Sequence, residues 1–293
     1  MAQVKVKAPA KINLSLDIVG KRPDGYHTVS MVMQAVSLYD TLTVSVDEER
    51  EGNDVAISCA GYDIPCDRSN IVYKAAQAFY RYTGAAAHPV SVMIEKKIPT
   101  EAGLAGGSAD GAATVLALNF LYATHLTMQE MAQICAKVGS DVPFCLLGGT
   151  MHATGTGVDL KKLCALQKCY IVICKPELCV STKEAYEKCD RKPYKGFLYT
   201  DEVIKQLYRR DIRALASCMY NEFEQVLTLP EINEIKKQMM RHKAIGASMS
   251  GSGSAVYALF LSEKQAKSCV EDLGKRYDKV FLCEPLKDGA KIE

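Results

Sequence analysis

The sequence predicts a chain of mixed strands and helices, arranged as two blocks that meet near residue 160. Runs of alternating and β-branched residues indicate strands, and apolar residues at helical spacing between recognisable caps indicate helices. The 293 residues are enough for two domains, and no low-complexity segment separates the blocks. We therefore expect one domain over residues 1–160 and a second over residues 161–293, packed closely together.

The first block begins with strands. Strand patterning covers residues 4–18 and 29–46, and the segment "GKRPDGYH" is a glycine and proline turn between them. Two further strands are predicted at "DVAISCAG" and "PVSVMIEKKI". The first block is therefore predicted to begin as a series of strands.

Three helices are predicted in the first block from their end signals. One begins at the first two residues of "SNIVYKAAQAFYRYTG" and stops at Gly84. Another, in "LTMQEMAQICAKVG", has Thr127 as its N-cap and Glu130 completing a capping box, and it ends just before its final glycine. The third lies between them and begins near Gly107 or Ser108.

The second block starts with a strand inside "LCALQKCYIVICKP". Helical segments are then predicted near 182–188, 201–209, 211–227 and 231–243. The block closes with the glycine and serine turn "SMSGSGS", the strand "AVYALFL", a helix capped by Ser262 with Gln265, and the strand "DKVFLCE".

Charge and hydropathy exclude several classes of protein. The net charge is +2 and basic residues do not gather into a stripe, which argues against a nucleic-acid partner. No stretch approaches the roughly 18 apolar residues of a spanning helix, and the first residues alternate as a strand rather than forming a signal peptide. We expect a cytoplasmic protein without a membrane partner, either a monomer or a homodimer.

The twelve cysteines do not predict a metal site. Four of them recur every five residues from Cys164 to Cys179, but the chain contains no CxxC pair, and "KCYIVICKP" is typical of a buried strand. We expect reduced cysteines that pack as small hydrophobic residues, and no metal bound by a protein cage.

The run "IPTEAGLAGGSADGAAT" at 98–114 precedes the third helix, where unpaired backbone N–H groups and the helix dipole attract phosphate. It is not a Walker A loop, because the Gly-Lys pairs at 20–21 and 274–275 lack the first glycine and the hydroxyl. It is not a GxGxxG fingerprint, because Ala105 occupies the second glycine position, and the HRD and DFG motifs of protein kinases are absent. On these residues alone, the run is either a phosphate cradle or a tight packing turn.

Two other stretches carry polar residues at positions that suit catalysis. "KAPAKINLSLDIVGKRPDGYH" has Lys11 and Asn13 on the first strand, followed by a turn that contains Tyr26 and His27. "VGSDVPFCLLGGT" has Asp141 after a helix cap, before a proline and an apolar strand. The sequence Gly-Ser-Asp-x-Pro is also ordinary turn chemistry, so this aspartate has a purely structural alternative.

Taken together, "PAKINL", "RPDGYH", "IPTEAGLAGGSADGAA", "GSDVPF" and "GASMSGSGSA" resemble the GHMP kinase superfamily. Within it they are most similar to the family of 4-diphosphocytidyl-2-C-methyl-D-erythritol kinases, and the resemblance runs from about residue 4 to about residue 260. It implies a two-domain α+β GHMP kinase fold with the active site in the inter-domain cleft. The first domain would bind ATP, and the second would be the C-terminal GHMP domain.

The resemblance also implies an activity. An enzyme of this family transfers the γ-phosphate of ATP to the 2-hydroxyl of a cytidine-diphosphate-linked methylerythritol, in non-mevalonate isoprenoid precursor biosynthesis. The alternatives are another GHMP small-molecule kinase of the mevalonate or homoserine type, or a ligand sensor that kept the fold and lost the chemistry. A sensor is expected to lose Lys11 or Asp141, and the chain has both.

Carried over position by position, the resemblance makes Lys11 and Asp141 the catalytic pair, with Asp141 as the base that accepts the hydroxyl proton. Asn13 would hold the substrate hydroxyls or the catalytic lysine. Tyr26 and His27 would stack on and hydrogen-bond a pyrimidine base. Tyr186 falls where the family places a second aromatic, so that a cytosine would lie between Tyr26 and Tyr186, although a helix-face role is the alternative.

The same resemblance assigns ATP binding to one loop and the start of the following helix. Its residues are Pro99, Thr100, Glu101, Ala102, Gly103, Leu104, Ala105, Gly106, Gly107, Ser108 and Ala109. Many relatives have glycine where Ala105 stands. Mg²⁺ is implied by the ATP and not by a set of protein ligands. The turn at 250–254 is expected to close over the nucleotide or the substrate phosphates.

Overall fold

The computed structural model describes residues 2–191 and 196–293. Within those residues there are two β-sheets, one of eight strands and one of four. The strands of the first sheet are β1 (Ala2–Lys21), β2 (His27–Val46), β3 (Val55–Ala60), β4 (Val90–Glu95), β5 (Thr150–Thr154), β6 (Asp159–Lys162), β8 (Tyr220–Asn221) and β12 (Lys291–Ile292). Those of the second sheet are β7 (Tyr170–Cys174), β9 (Gly246–Met249), β10 (Val256–Phe260) and β11 (Val280–Cys283).

Helices pack against both sheets. Those of the first half are α1 (Ile71–Thr83), α2 (Gly106–Leu121), α3 (Met128–Ala136) and α4 (Val142–Leu147). Those of the second half are α5 (Thr182–Cys189), α6 (Tyr199–Arg209), α7 (Ile212–Cys218), α8 (Glu222–Val226), α9 (Pro230–Arg241) and α10 (Glu263–Leu273). The mixed α+β architecture expected from the sequence is confirmed.

The β1–β2 hairpin is the centre of the first sheet, and the two strands pair antiparallel over their whole length. In β1, residues 3–7 alternate between exposed and buried side chains, whereas residues 8–17 are buried throughout. The second stretch is covered because α2 packs on the hairpin and β8 pairs with β1. The register shifts between Pro9 and Ala10 and again between Asn13 and Ser15. Such bulges turn side chains out of strict alternation, and here they flank Lys11 and Asn13.

Two helix predictions of the first block are confirmed at their starts. Asn70 caps α1, because its side chain accepts a hydrogen bond from the backbone N–H of Val72, and Gly84 ends the helix at φ 66°. Thr127 and Glu130 form the expected capping box on α3. That helix ends at Ala136, a few residues earlier than its final glycine suggested.

The second sheet has the strand order β11-β7-β10-β9 and is antiparallel throughout. The central strand β10 is completely buried between its neighbours and the helices α9 and α10. Two elements of the second half nevertheless join the first sheet. Strand β8 pairs with β1 at Ser15, and β12 pairs with β1 at Val6 and Lys7. The division of the chain at residue 160 stays a prediction.

Three local predictions were wrong. The apolar segment after Asp141 is the helix α4 and not a strand, because Pro143 in its first turn favours a helix start and a six-residue apolar run has no readable period. The predicted helix at 211–227 is divided into α7, β8 and α8, since Tyr220 and Asn221 pair with β1. Ser262 stands at the N-cap position of α10 but makes no capping hydrogen bond there among the described residues.

Candidate active site

A cleft of about 1550 Å³ lies between the β1–β2 hairpin, the glycine-rich loop before α2, and the segment around α5. The structure brings together most of the predicted site residues along it. Those that line the cleft are Lys11, Asn13, Tyr26, His27, Pro99, Thr100, Glu101, Ala102, Gly103, Ala105, Gly106, Gly107, Ser108, Asp141 and Tyr186. Leu104 and Ala109 are buried outside its lining, although the carbonyl of Leu104 accepts the backbone N–H of Lys11 at 3.1 Å.

Lys11 and Asp141 form an open ion pair at one end of the cleft. The Lys11 Nζ atom lies 3.7 Å from Asp141 Oδ2 and donates a hydrogen bond of 2.7 Å to Asn13 Oδ1. The lysine side chain is 5% exposed and the aspartate side chain is 32% exposed. The Lys11 ammonium is therefore enclosed by protein, whereas the Asp141 carboxylate faces the cleft.

Asp141 is held through its backbone and not through its carboxylate. It occupies the N-cap of α4, and its carbonyl accepts the N–H of Cys145 at 3.1 Å. The neighbouring Val142 and Phe144 are buried in the core, which fixes the turn. Its side chain makes no capping hydrogen bond within the described part of the chain. The fold thus positions the Asp141 carboxylate, but the carboxylate does not cap the helix.

Asn13 connects the lysine to the rest of the protein. Its Oδ1 accepts from Lys11, its Nδ2 lies 3.2 Å from the sulfur of Met31, and its carbonyl accepts the hydroxyl of Tyr257 at 2.7 Å. Tyr257 is fully buried in β10 of the second sheet. The strand that carries Lys11 is therefore braced by a residue from the other half of the chain.

The glycine-rich loop has an unusual backbone. Glu101, Gly103 and Ala105 all have positive φ, and Ala105 precedes α2 without a side chain that could cap it. A left-handed alanine costs roughly 1 to 2 kcal/mol, so the loop holds this conformation against local preference. At Gly103 a Cβ would lie 2.0 Å from the carbonyl oxygen of Ser250, so no other residue fits. The first N–H groups of α2 are left without a side-chain cap beside the cleft.

Beneath this loop lies a buried charge cluster of Asp40, Lys96 and Asp110, which sequence analysis did not identify. Lys96 Nζ donates 2.5 Å hydrogen bonds to both carboxylates. Asp40 also accepts the backbone N–H groups of Lys97 and Ile98 at 2.6 and 2.8 Å. The cluster therefore links the end of β4, which precedes the loop, to α2, which follows it. The sequence signal was a lysine two residues before the glycine-rich run and an aspartate within it.

Burial and charge act against one another in this cluster. Burial raises the pKa of the Asp110 carboxyl well above its usual range, and the Lys96 ammonium opposes that rise. Burial lowers the pKa of Lys96, but the carboxylates of Asp110 and Asp40 outweigh it and raise the pKa overall. The Oδ1 atom of Asp110 is buried and has no hydrogen-bond partner among the described residues.

Aromatic side chains line the other end of the cleft. The ring of His27 stacks on Tyr186 with centroids 4.6 Å apart, and Phe223 meets the Tyr186 ring edge-on at 5.0 Å. Burial raises the pKa of Tyr186 to about 12. Tyr26 is 66% exposed in the neighbouring turn. A cytosine between Tyr26 and Tyr186 stays a prediction, and Phe223 is an aromatic of this corner that the sequence did not reveal.

The glycine and serine turn after β9 contacts the glycine-rich loop directly. Ser250 Oγ donates to the carbonyl of Gly103 at 2.9 Å, and the N–H of Ala255 donates to the carbonyl of Ala102 at 3.1 Å. Gly251, Ser252 and Gly253 line the cleft. The turn therefore supports the loop from behind, and its closing over the nucleotide or the substrate phosphates stays a prediction.

Residues 2–191 and 196–293 contain no group of three or more His, Cys, Asp or Glu side chains placed to hold a metal ion. No helix in the same residues is long and apolar enough to cross a membrane.

Comparison with known proteins identifies related chains. The family described as GHMP kinases N terminal domain matches residues 70–149, and the one described as GHMP kinases C terminal matches residues 203–279. A 4-diphosphocytidyl-2-C-methyl-D-erythritol kinase of Carboxydothermus hydrogenoformans is 45% identical, over 96% of this chain and 96% of that protein. The enzyme of the same name from Alkaliphilus metalliredigens is 41% identical, over 97% of each.

Solved structures show the same fold. The crystal structure of a 4-(cytidine 5'-diphospho)-2C-methyl-D-erythritol kinase superposes with a TM-score of 0.79 at 30% identity, over 96% of this chain and 98% of that one. A homoserine kinase from Cytophaga hutchinsonii superposes with a TM-score of 0.81, over 100% and 98%, but at 21% identity. The second likeness concerns the fold alone, so backbone similarity does not separate these enzymes by substrate.

Proposed function

This chain belongs to the 4-diphosphocytidyl-2-C-methyl-D-erythritol kinase family of the GHMP kinases, and from that premise we propose the substrate and the role of each site residue. The enzyme transfers the γ-phosphate of ATP to the 2-hydroxyl of 4-diphosphocytidyl-2-C-methyl-D-erythritol, in the cytoplasm, on the non-mevalonate route to isoprenoid precursors. The observation that carries the proposal is the open pair of Lys11 and Asp141 beside an uncapped helix start.

Asp141 acts as the base toward the acceptor hydroxyl. The carboxylate faces the cleft and lies 3.7 Å from the Lys11 ammonium, a separation that allows a hydroxyl oxygen to contact both groups. As the oxygen attacks the γ-phosphorus, its proton passes to Asp141, the bond between that phosphorus and the β,γ-bridging oxygen breaks, and ADP leaves. Lys11 stabilises the negative charge on the attacking oxygen and the transferring phosphoryl group.

The loop from Pro99 to Ala109 binds the ATP phosphates. Its small side chains allow close approach, and the N–H groups at the start of α2 donate toward negative charge. Ser108 lines the cleft, and Asp110 has a buried oxygen without a partner in the described residues, so oxygen donors that fit Mg²⁺ are present. When bound, Mg²⁺ neutralises phosphate charge.

The aromatic corner binds the cytosine end of the substrate. Stacking of a base on an aromatic ring contributes about 1 to 3 kcal/mol, which is enough to favour a nucleotide-linked polyol over a bare one. His27 and Tyr186 are already stacked, and Tyr26 is exposed beside them. Mevalonate and homoserine carry no nucleobase that could stack against these rings.

The test is a substrate panel. The purified protein is incubated with ATP, Mg²⁺ and, separately, the cytidylyl methylerythritol, mevalonate and homoserine, and ADP release is followed. We expect turnover of the cytidylyl substrate only. Turnover of mevalonate or homoserine without turnover of the cytidylyl compound would contradict the proposal. ATP binding without turnover of any acceptor would favour a sensor.

A further inference from the structure

Asp190 joins the end of α5 to both strands of the β1–β2 hairpin. It follows the last residue of α5, and its carboxylate accepts from Lys21 Nζ at 2.5 Å and from His27 Nε2 at 2.6 Å. Lys21 and His27 are themselves paired across the mouth of the hairpin turn. One carboxylate from the second half of the chain therefore fixes the base of the turn that carries Tyr26.

Tyr186 and Asp190 hold His27 from the same side. They are four residues apart at the end of α5, a spacing that brings side chains onto one helix face. Tyr186 stacks on the imidazole ring with an interplanar angle of 22°, while Asp190 holds a ring nitrogen. The His27 side chain is 9% exposed as a result. Stacking fixes the plane of the ring, and the hydrogen bond fixes its rotation within that plane.

The carboxylate also fixes which ring nitrogen carries a proton. The hydrogen bond from His27, followed by the one from Lys21, lowers the pKa of Asp190 to about 2, so the carboxyl is ionised at neutral pH. An ionised carboxylate can only accept, so His27 Nε2 must carry the hydrogen. The other ring nitrogen, Nδ1, makes no hydrogen bond with any described residue, and the ring lines the cleft.

We propose that Asp190 is a positioning residue that acts through His27 to hold the cytidylyl-binding corner in its substrate-ready geometry. The inference rests on the proposed function, because it concerns the same substrate. It assigns no chemical step to Asp190: the ATP loop and the pair of Lys11 and Asp141 are made by other elements. Loss of Asp190 therefore affects binding of the cytidylyl group and leaves phosphoryl transfer intact.

The experiment compares Asp190→Ala with the wild-type enzyme at saturating ATP. A hydrogen bond to a charged group is strong enough that we expect the KM for the cytidylyl substrate to rise about tenfold. The kcat and the KM for ATP should stay within about twofold of wild type. Asp190→Glu, which keeps the carboxylate on a longer stem, should restore part of the loss.

A matched control is available in α10, a helix of the second half that does not line the cleft. Asp272 in α10 accepts from His242 Nε2 at 3.1 Å and from Lys275 Nζ at 3.2 Å, so it repeats the same trio of side chains away from the cleft lining. Asp272→Ala should leave kcat and both KM values unchanged. An effect of this control on the substrate KM equal to that of Asp190→Ala would overturn the assignment.

Binding of cytidine diphosphate, measured by calorimetry, separates this inference from the proposed reaction. Weaker binding to Asp190→Ala with unchanged ATP binding supports the positioning role, whether or not wild type turns over the full substrate. Unchanged binding of cytidine diphosphate and unchanged substrate KM would overturn it. Equal losses of both affinities with a lower Tm would mean that Asp190 serves only the fold, which also overturns it.

Discussion

Two buried lysines of the cleft, Lys96 and Lys11, occupy contrasting surroundings. Lys96 lies between two buried carboxylates, each 2.5 Å from its ammonium. Lys11 has one amide oxygen at 2.7 Å and one carboxylate at 3.7 Å, and that carboxylate is one-third exposed. The first lysine is closed into a structural cluster, and the second is left with space beside its partner. The difference separates a lysine that stabilises the glycine-rich loop from the lysine for which we propose a contact with phosphate.

Electrostatics explains why the two arrangements suit these tasks. A buried charge is costly unless it is paired and hydrogen-bonded, and Lys96 meets both conditions. Burial raises the pKa of Asp110, and the Lys96 ammonium beside it opposes that rise. Lys11 is buried too, but its partner Asp141 faces the cleft, so a substrate hydroxyl and a phosphate can complete its contacts.

The largest effect should come from breaking the open pair with Asp141→Asn. A general base typically contributes a factor of 10² to 10⁴, and we expect kcat to fall by about 10³. The carboxylate makes no capping hydrogen bond with the described residues, so the free energy of unfolding should change by less than about 1 kcal/mol. Turnover and denaturant unfolding are measured on the same preparation. Turnover at the wild-type level would exclude Asp141 as the base.

A change in the buried cluster of Asp40, Lys96 and Asp110 should lower the stability of the fold, whereas Asp141→Asn should lower turnover alone. Lys96→Met leaves two buried carboxyl groups without their cation, and breaking a buried pair in this way costs about 3 to 5 kcal/mol. Lys97→Met, next to it and exposed, is the matched control and should stay within about 0.5 kcal/mol of wild type. Equal unfolding free energies of the two variants would show that the cluster does not stabilise the fold.

A smaller effect is expected where the second sheet braces the open pair. Tyr257→Phe removes the hydroxyl that donates to the carbonyl of Asn13, and the loss of this buried hydrogen bond should cost about 1 kcal/mol. Tyr208→Phe changes a tyrosine that is 58% exposed and should have almost no effect. Urea unfolding of both variants provides the comparison. A Tyr257→Phe protein as stable as Tyr208→Phe would mean that this contact contributes nothing.

The smallest effect concerns pH. The carboxylates raise the pKa of Lys96 in the folded protein above its ordinary value of 10.5. A raised lysine pKa gives stability that is fully present below 10.5 and is lost as the pH rises through the folded value. The unfolding free energy of wild type should therefore fall faster than that of Lys96→Met above about pH 10.5, as measured in urea. Parallel curves for the two proteins would contradict this account.

Local signals in the sequence predicted the parts of the fold that depend on near neighbours. Thr127 and Glu130, three residues apart, were enough to locate the start of α3, and Asn70 and Gly84 marked both ends of α1. The long alternating segments gave β1 and β2. Where the outcome depended on distant partners, the same reasoning failed: Tyr220 looked helical because its pairing with β1 is invisible in the sequence.

The sequence by itself determined the family, the mixed α+β architecture and the short motifs that contain Lys11, Asp141 and the glycine-rich run, because those signals lie within a few residues of one another. Only the tertiary structure decided how the motifs meet. Asp40 reaches Lys96 across 56 residues, and Asp190 reaches His27 across 163. The physical reason is that hydrogen bonds and ion pairs depend on distances in space, which the chain sets only when the sheets and helices have packed.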